Sequence, residues 1–260
     1  MRVARPVEIE LGNGLTIPVL HEDRSTLIID KPEGWILAPV TWIHTGRNLL
    51  LALISSINGG DRWARSRGLR FLRYVHRLDA ETSGVLLFVK NAGAVAAYTR
   101  LFEERRVEKI YWAVVQGAPK ENEWTCELPL GPHPRKEGRM RVDHRNGKEA
   151  QTHFRVLTRG QGKTLVEVQP ITGRTHQIRV HLQAAGCPVL GDAWYGNEGD
   201  AEDVALALRA VRLSYCDPFT RRHVRAQASV EAFLAAQGWD ASAVVSALPS
   251  GPGRVFNRRS

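Results

Sequence analysis

The chain has 260 residues, 43% hydrophobic and 24% charged, which is enough apolar content for one large or two small domains and too much for wholesale disorder. No run approaches the roughly 20 apolar residues that cross a bilayer, and three widely spaced cysteines, Cys126, Cys187 and Cys216, argue against a disulfide framework. The net charge of +9 suits a polyanion such as nucleic acid, although a solvated basic surface would give the same number.

Met1 to Glu10 carries no signal-peptide core, so a cytoplasmic location is expected, and the chain is read as opening with an arm. Leu27 to Ile29 is a short apolar strand, broken by a turn at Asp30-Lys31-Pro32-Glu33-Gly34. Leu49, Leu50, Leu53, Ile54 and Ile57 recur at helical spacing after Asn48, and Asn58-Gly59-Gly60 stops that helix. Residues 61–70 read as a basic loop. Val85 to Val89 reads as a buried strand, and Asn91 as the cap of a helix with Val95, Tyr98 and Phe102 on its inner face.

Ile110 to Val115 is a further strand. Residues 119–149 read as short strands around a long basic loop. Phe154 to Leu157 and Leu165 to Val168 are strands. A helix is expected from Thr175, striped by Ile178, Leu182 and Ala185 and ended by Gly186. An acidic loop over Asn197 to Asp203, a late strand Val211 to Tyr215, a short helix Val230 to Ala236 and a basic tail complete the chain. Strands do not alternate regularly with helices, so an α+β fold is expected over a doubly wound parallel sheet.

Two segments crowd polar groups against elements that must be buried. In the first, His76 to Gly84, Asp79 stands at the mouth of a core strand, where a carboxylate needs donors or a cation to offset desolvation. Thr82 and Ser83 are near enough to donate, although an Asx-turn or helix cap would explain the same residue. In the second, Gly173 to His181, Arg174 precedes the expected N-cap Thr175. His176, Arg179 and Gln183 share a polar face that could equally be solvated. Arg174 reaching Asp79 would give an aimed, ionised carboxylate. A metal site using His76, His176, His181, Asp79 and Asp192 fits poorly, because no established ligand spacing is present, and no metal is expected.

Taken in order, these motifs resemble the RluA-type pseudouridine synthase family. The resemblance rests on His76-Arg77-Leu78-Asp79-Ala80-Glu81-Thr82-Ser83-Gly84, Lys109-Ile110-Tyr111, Gly147 to Thr152, and Gly173-Arg174-Thr175-His176-Gln177-Ile178-Arg179-Val180-His181. Cys187 to Asp192, Tyr195-Gly196 and the turn at Asp30 to Gly34 continue it. It covers residues 24 to 235.

The resemblance implies a bent, mixed, largely antiparallel sheet with flanking helices and a central cleft. The chain would comprise an arm over 1–23, a catalytic domain over 24–240 and a flexible basic tail over 241–260. Asp79 would be the catalytic aspartate, Tyr111 would stack on a flipped base, and Arg174 would pair with Asp79. Ile178 would wall the base and Arg77 would fill the space it leaves. His76 and Thr82 belong to the expected substrate-binding set. Neither cofactor nor metal is implied, and neither a membrane nor an obligate protein partner.

The substrate would be uridine in structured RNA, ribosomal above transfer RNA. Extruding the base costs a few kcal/mol. Arg135, Lys136, Arg139, Arg141 and Arg145 could hold phosphates. Three departures stand out: no S4-type RNA-binding module is recognisable, Ala38-Pro39-Val40-Thr41 replaces a common His-Pro step, and Cys216-Asp217-Pro218 replaces another.

Overall fold

The computed structural model describes residues 7–12, 14–37, 46–160, 162–197 and 204–247. The N-terminal half contains β1 (Glu8–Glu10), β2 (Thr16–Glu22), β3 (Thr26–Lys31), α1 (Leu49–Asn58), α2 (Arg62–Arg65), β4 (Arg73–Tyr74), β5 (Ser83–Val89), α3 (Val95–Glu103) and β6 (Glu108–Gln116). There follow β7 (Glu123–Cys126), β8 (Leu130–Pro132), β9 (Met140–Val142), β10 (Thr152–Gly160), β11 (Lys163–Pro170) and α4 (Gln177–Ala184). The chain continues through β12 (Leu208–Cys216), β13 (His223–Gln227), α5 (Glu231–Ala236) and α6 (Ala241–Ala247).

Eleven strands form one sheet in the order β1-β2-β3-β5-β12-β6-β11-β10-β7, with β13 beside β12 and β4 beside β5. β5 with β12 is a parallel pair. The other strand pairings are antiparallel, including the separate hairpin β8-β9. The fold is therefore α+β with a mixed, largely antiparallel sheet.

β5 shows why its sequence is almost continuously apolar. Leu86 and Phe88 point into one core, with Leu49 and Leu53 of α1. Val85, Leu87 and Val89 point into a second core, with Tyr98 and Leu101 of α3. A strand covered on both faces has no polar side to alternate with. Asn48 caps α1, accepting from the Leu51 amide at 3.1 Å, whereas Asn91 accepts from the Ala94 amide at 2.9 Å and caps the 3-10 turn Ala92–Ala94 that leads into α3.

Three expectations change. The segment read as an arm is part of the sheet: β1 pairs with β2 and β2 with β3, burying Ile9 and Ile17 completely. The 61–70 loop contains the single turn α2, because Trp63 and Ala64 pack into the core. The tail begins as helix α6. Residues 248–260, the Ala38 to Thr41 departure and most of the acidic loop lie outside the described residues.

Candidate active site

The middle of the sheet brings the separated motifs together. In register, Tyr111 of β6 stands opposite Ala210 of β12, and Ala210 stands opposite Gly84 of β5. Tyr111 also pairs with Val168, close to the end of β11, from which the chain runs into Gly173 and α4. Gly84 makes this spacing possible. It has φ +113°, and a Cβ there would lie 2.1 Å from the Ala210 carbonyl oxygen, a contact no side chain survives. The loop entering β5 thus lies against Tyr111 and the start of α4.

That loop carries Asp79, and Lys31 holds its backbone. Lys31 has no exposed surface, and its ammonium donates to the carbonyls of Pro32, Ala80 and Thr82, each at 2.9 Å. Burial pulls the lysine down to about 8, against the raising influence of Glu81, Asp79 and Glu33. The Gly34 amide donates to the same Ala80 carbonyl at 2.8 Å. The expected donors have other tasks. Thr82 is buried, with its amide on the Asp79 carbonyl at 3.2 Å, while Ser83 Oγ accepts from Arg209 at 3.0 Å.

The second wall is the turn into α4. The Gln177 side chain, itself buried, organises it. Its Oε1 accepts from the Arg174 amide at 2.9 Å and the Thr172 hydroxyl at 2.7 Å, and its Nε2 donates to the Gln151 carbonyl and Thr152 Oγ1. Thr175 is not the cap. His176 takes that position in the left-handed region, φ 53° and ψ 20°, and α4 starts at Gln177. Strain of this kind in a non-glycine residue gathers at functional sites.

The ion pair expected between Arg174 and Asp79 is not formed. Arg174 Nε donates instead to the Glu149 carbonyl at 2.8 Å, and the basic side chain facing the Asp79 carboxylate is His176, with Nε2 4.0 Å from Oδ2. A partly exposed guanidinium gains little from an ion pair in water, so a backbone carbonyl competes well for it. Arg174 and Asp79 nevertheless line the same cleft of about 550 Å³, with Tyr111, Arg77, His176 and Ile178. Arg77 is exposed and donates to Thr175 Oγ1 at 3.5 Å.

Tyr111 lies buried in the cleft. Burial, reinforced by the Asp79 charge, raises the Tyr111 phenol above its usual value, so it stays protonated at neutral pH. Burial and then Lys109 pull His76 down to about 3. His76 stacks on Phe102 at 4.6 Å and its Nε2 accepts from the Leu87 amide at 3.0 Å, which fixes the neutral tautomer with its proton on Nδ1. His181 lies between Thr152 Oγ1 and the Leu128 carbonyl. The three histidines weighed as metal ligands are thus separately engaged. Among the described residues no three His, Cys, Asp or Glu side chains gather as a metal-binding group.

Sequence reasoning missed the support behind the cleft. Periodicity puts Arg179 on a polar face that could equally be solvated, and the structure buries it: it is 3% exposed and forks onto Asp192 at 2.6 and 2.7 Å. Its third nitrogen reaches Glu81 at 3.8 Å, and its guanidinium lies over Tyr195 and Trp194. The signal was Asp192 at the end of a motif, but nothing local ties it to Arg179. Asp217, at the third departure, accepts from Tyr98, Phe219 and Thr220 and closes a turn.

The arrangement offers a carboxylate, a protonated phenol and a guanidinium around a space that suits one nucleoside-sized group. The family model "RNA pseudouridylate synthase" matches residues 25–184. An uncharacterised RNA pseudouridine synthase of Zymomonas mobilis is 37% identical over 195 residues, 74% of this chain and 84% of the relative. A "Ribosomal large subunit pseudouridine synthase C" of Vibrio cholerae is 34% identical, over 83% of this chain and 66% of the relative. Among solved structures, "Human RNA Pseudouridylate Synthase Domain Containing 1" superposes with a TM-score of 0.67 and 28% identity, over 91% of this chain and 96% of that one.

Proposed function

This chain belongs to the RNA pseudouridylate synthase family and is an isomerase; from that premise we propose that it converts uridine to pseudouridine in structured RNA, with Asp79 as the catalytic carboxylate. Ribosomal RNA is favoured over transfer RNA, as the names of relatives such as the Vibrio cholerae protein suggest. The enzyme works in the cytoplasm without cofactor or metal. The single observation carrying the reading is the Asp79 carboxylate in a nucleoside-sized cleft that also holds Tyr111 and Arg174.

The target base leaves its stack and enters the cleft, with Arg77 filling the space behind it. Asp79 acts at the sugar, by attack or by its charge, as the N1–C1′ bond breaks and its electron pair departs with the uracil. The ring turns between Tyr111 and Ile178, and C5 bonds to C1′. The proton lost from C5 is balanced by one gained at N1, so the reaction is a net isomerisation. Tyr111 stacks on the uracil. Arg174 closes on Asp79 once the base displaces water from the cleft, since exclusion of water strengthens the pair. His76 and Thr82 shape the substrate-binding wall. Arg135, Lys136, Arg139, Arg141 and Arg145, on and around the β8-β9 hairpin, hold phosphates.

Release of tritium from C5-labelled uridine in RNA tests the reading. Asp79→Asn is expected to lower single-turnover release by roughly 1,000-fold or more, with RNA affinity within about threefold of wild type. Full release by this variant would overturn the assignment. Mapping pseudouridine across stable RNA after gene deletion identifies the substrate. Loss confined to transfer RNA would overturn the ribosomal preference.

A further inference from the structure

His176 has features that its place at a helix start does not require. Its backbone is left-handed, and its ring is gripped on three sides. Nδ1 lies 2.8 Å from the Tyr195 hydroxyl, and the ring packs edge-on against Tyr195 and Trp194 with centroids 5.6 and 5.1 Å away. Nε2 points to Asp79 Oδ2 at 4.0 Å. The Tyr195 oxygen also accepts from the Met140 amide at 2.8 Å, and among the described residues His176 Nδ1 is the acceptor within reach of its own proton. With Nδ1 accepting, the imidazole proton sits on Nε2, the nitrogen that faces the carboxylate.

We propose that His176 is a positioning residue, a neutral Nε2–H donor aimed at Asp79 and fixed in that tautomer by the Tyr195 hydroxyl. This rests on the reading of Asp79 as the catalytic carboxylate. A neutral donor orients the carboxylate without neutralising it, whereas an imidazolium would bind it as an ion pair and blunt its action on the sugar. The gap to Asp79 is longer than a hydrogen bond and closes when substrate fills the cleft, as catalytic hydrogen bonds often do. The charged and titratable groups around the ring are Asp79 and Glu81 from the loop before β5, Arg179 from α4, and Asp192 and Tyr195 from the following segment. Burial, followed in effect by Arg179 among the lowering influences, keeps the imidazole below its ordinary value despite the three carboxylates.

The arrangement also ties the basic hairpin to the chemistry. Met140 opens β9, and Arg139 beside it donates to the Trp194 carbonyl at 3.0 Å while lying over the Trp194 ring. Phosphates held by that hairpin would therefore bear on the residue that sets the histidine tautomer.

Single-turnover tritium release by His176→Phe, His176→Gln and Tyr195→Phe tests this, with RNA affinity and thermal melting measured alongside. His176→Phe removes the donor and is expected to slow release by about 100-fold with little change in RNA affinity, the size expected of a misaimed group. His176→Gln restores a neutral donor at the Nε2 position and recovers most of that loss. Tyr195→Phe frees Nδ1 to take a proton, so its rate falls as pH drops from about 8 to about 6, a window in which wild type stays level.

A merely structural role would lower the Tyr195→Phe rate equally at every pH and leave Gln no better than Phe, and that pair of results overturns the proposal. Should His176→Phe fail to fold, the pH profile of Tyr195→Phe decides alone. An inactive Asp79→Asn beside a fully active His176→Phe sinks only this inference, whereas an active Asp79→Asn sinks the reading beneath it.

Discussion

The two walls of the cleft are built differently. The Asp79 wall is locked from behind: a fully buried lysine satisfies three carbonyls, Gly84 lets β12 press against the loop, and Arg179 joins Glu81 to a buried Asp192. The Arg174 wall is a surface turn whose guanidinium rests on a backbone carbonyl and whose neighbour Arg77 is exposed. The contrast teaches that buried groups hold the backbone carrying Asp79, whereas Arg174 and Arg77 keep surface contacts; on the proposed reading, the Asp79 loop is placed before substrate arrives and the cations are placed by it. Preorganising the group that meets the reacting bond lowers the barrier. Leaving the cations solvated until RNA enters avoids burying charge without a partner.

The strongest way to break this comparison is to unlock the first wall. Lys31→Met takes the ammonium from three carbonyls, of which that of Ala80 keeps the Gly34 amide, and is expected to cost about 3 kcal/mol of stability, since an unsatisfied buried polar group costs about 1–3 kcal/mol. Chemical denaturation reads the loss, and activity should fall with it. A variant as stable as wild type would show that the loop needs no clamp. On the second wall, Arg174→Met should leave stability within about 0.5 kcal/mol, as for other surface positions, and slow single-turnover isomerisation roughly 30-fold through loss of charge beside Asp79. A large drop in melting temperature there would erase the distinction between the walls.

A smaller effect concerns pH. His76 is held near 3 in the folded chain, below the ordinary 6.5, so between these values the unfolded chain binds the extra proton and stability falls as pH falls. Protonation would also turn the acceptor facing the Leu87 amide into a donor. His76→Phe should be less stable than wild type at neutral pH yet lose about 1 kcal/mol less between pH 6 and pH 5. Parallel pH dependences in denaturant melts would contradict this. Smallest in energy, Arg135→Ala with Lys136→Ala should weaken RNA binding and flatten its salt dependence by about one for each phosphate no longer neutralised. An unaltered salt slope would remove the hairpin from the RNA interface.

Much of this is legible along the chain, and unevenly so. The doubly covered strand β5 and the Asn48 and Asn91 caps declare themselves because their causes are local. So do the motif residues Asp79, Tyr111, Arg174 and Ile178, which the fold gathers into one cleft. The first strands pass for an arm because β1 and β2 carry weak alternation that acquires meaning only beside β3. Lys31 looks like a turn residue, since nothing in its neighbourhood announces the carbonyls of residues 80 and 82 as its partners. The left-handed His176 and the expected but unformed ion pair are equally beyond reach, because both depend on which groups compete for a turn once it is packed.

The amino-acid order alone determined which residue types stand at which spacing, and through them the central strands, the main helices, the α+β class and the set of side chains able to do chemistry. Those properties follow from periodicity, capping and motif, which act over a few residues. The tertiary structure decided which polar groups meet: Lys31 under the Asp79 loop, Arg179 on Asp192, Tyr195 on His176, and Arg174 on Glu149 instead of Asp79. Such pairings turn on a few ångströms of separation and on how much water remains, and both quantities exist only after the sheet has closed around them.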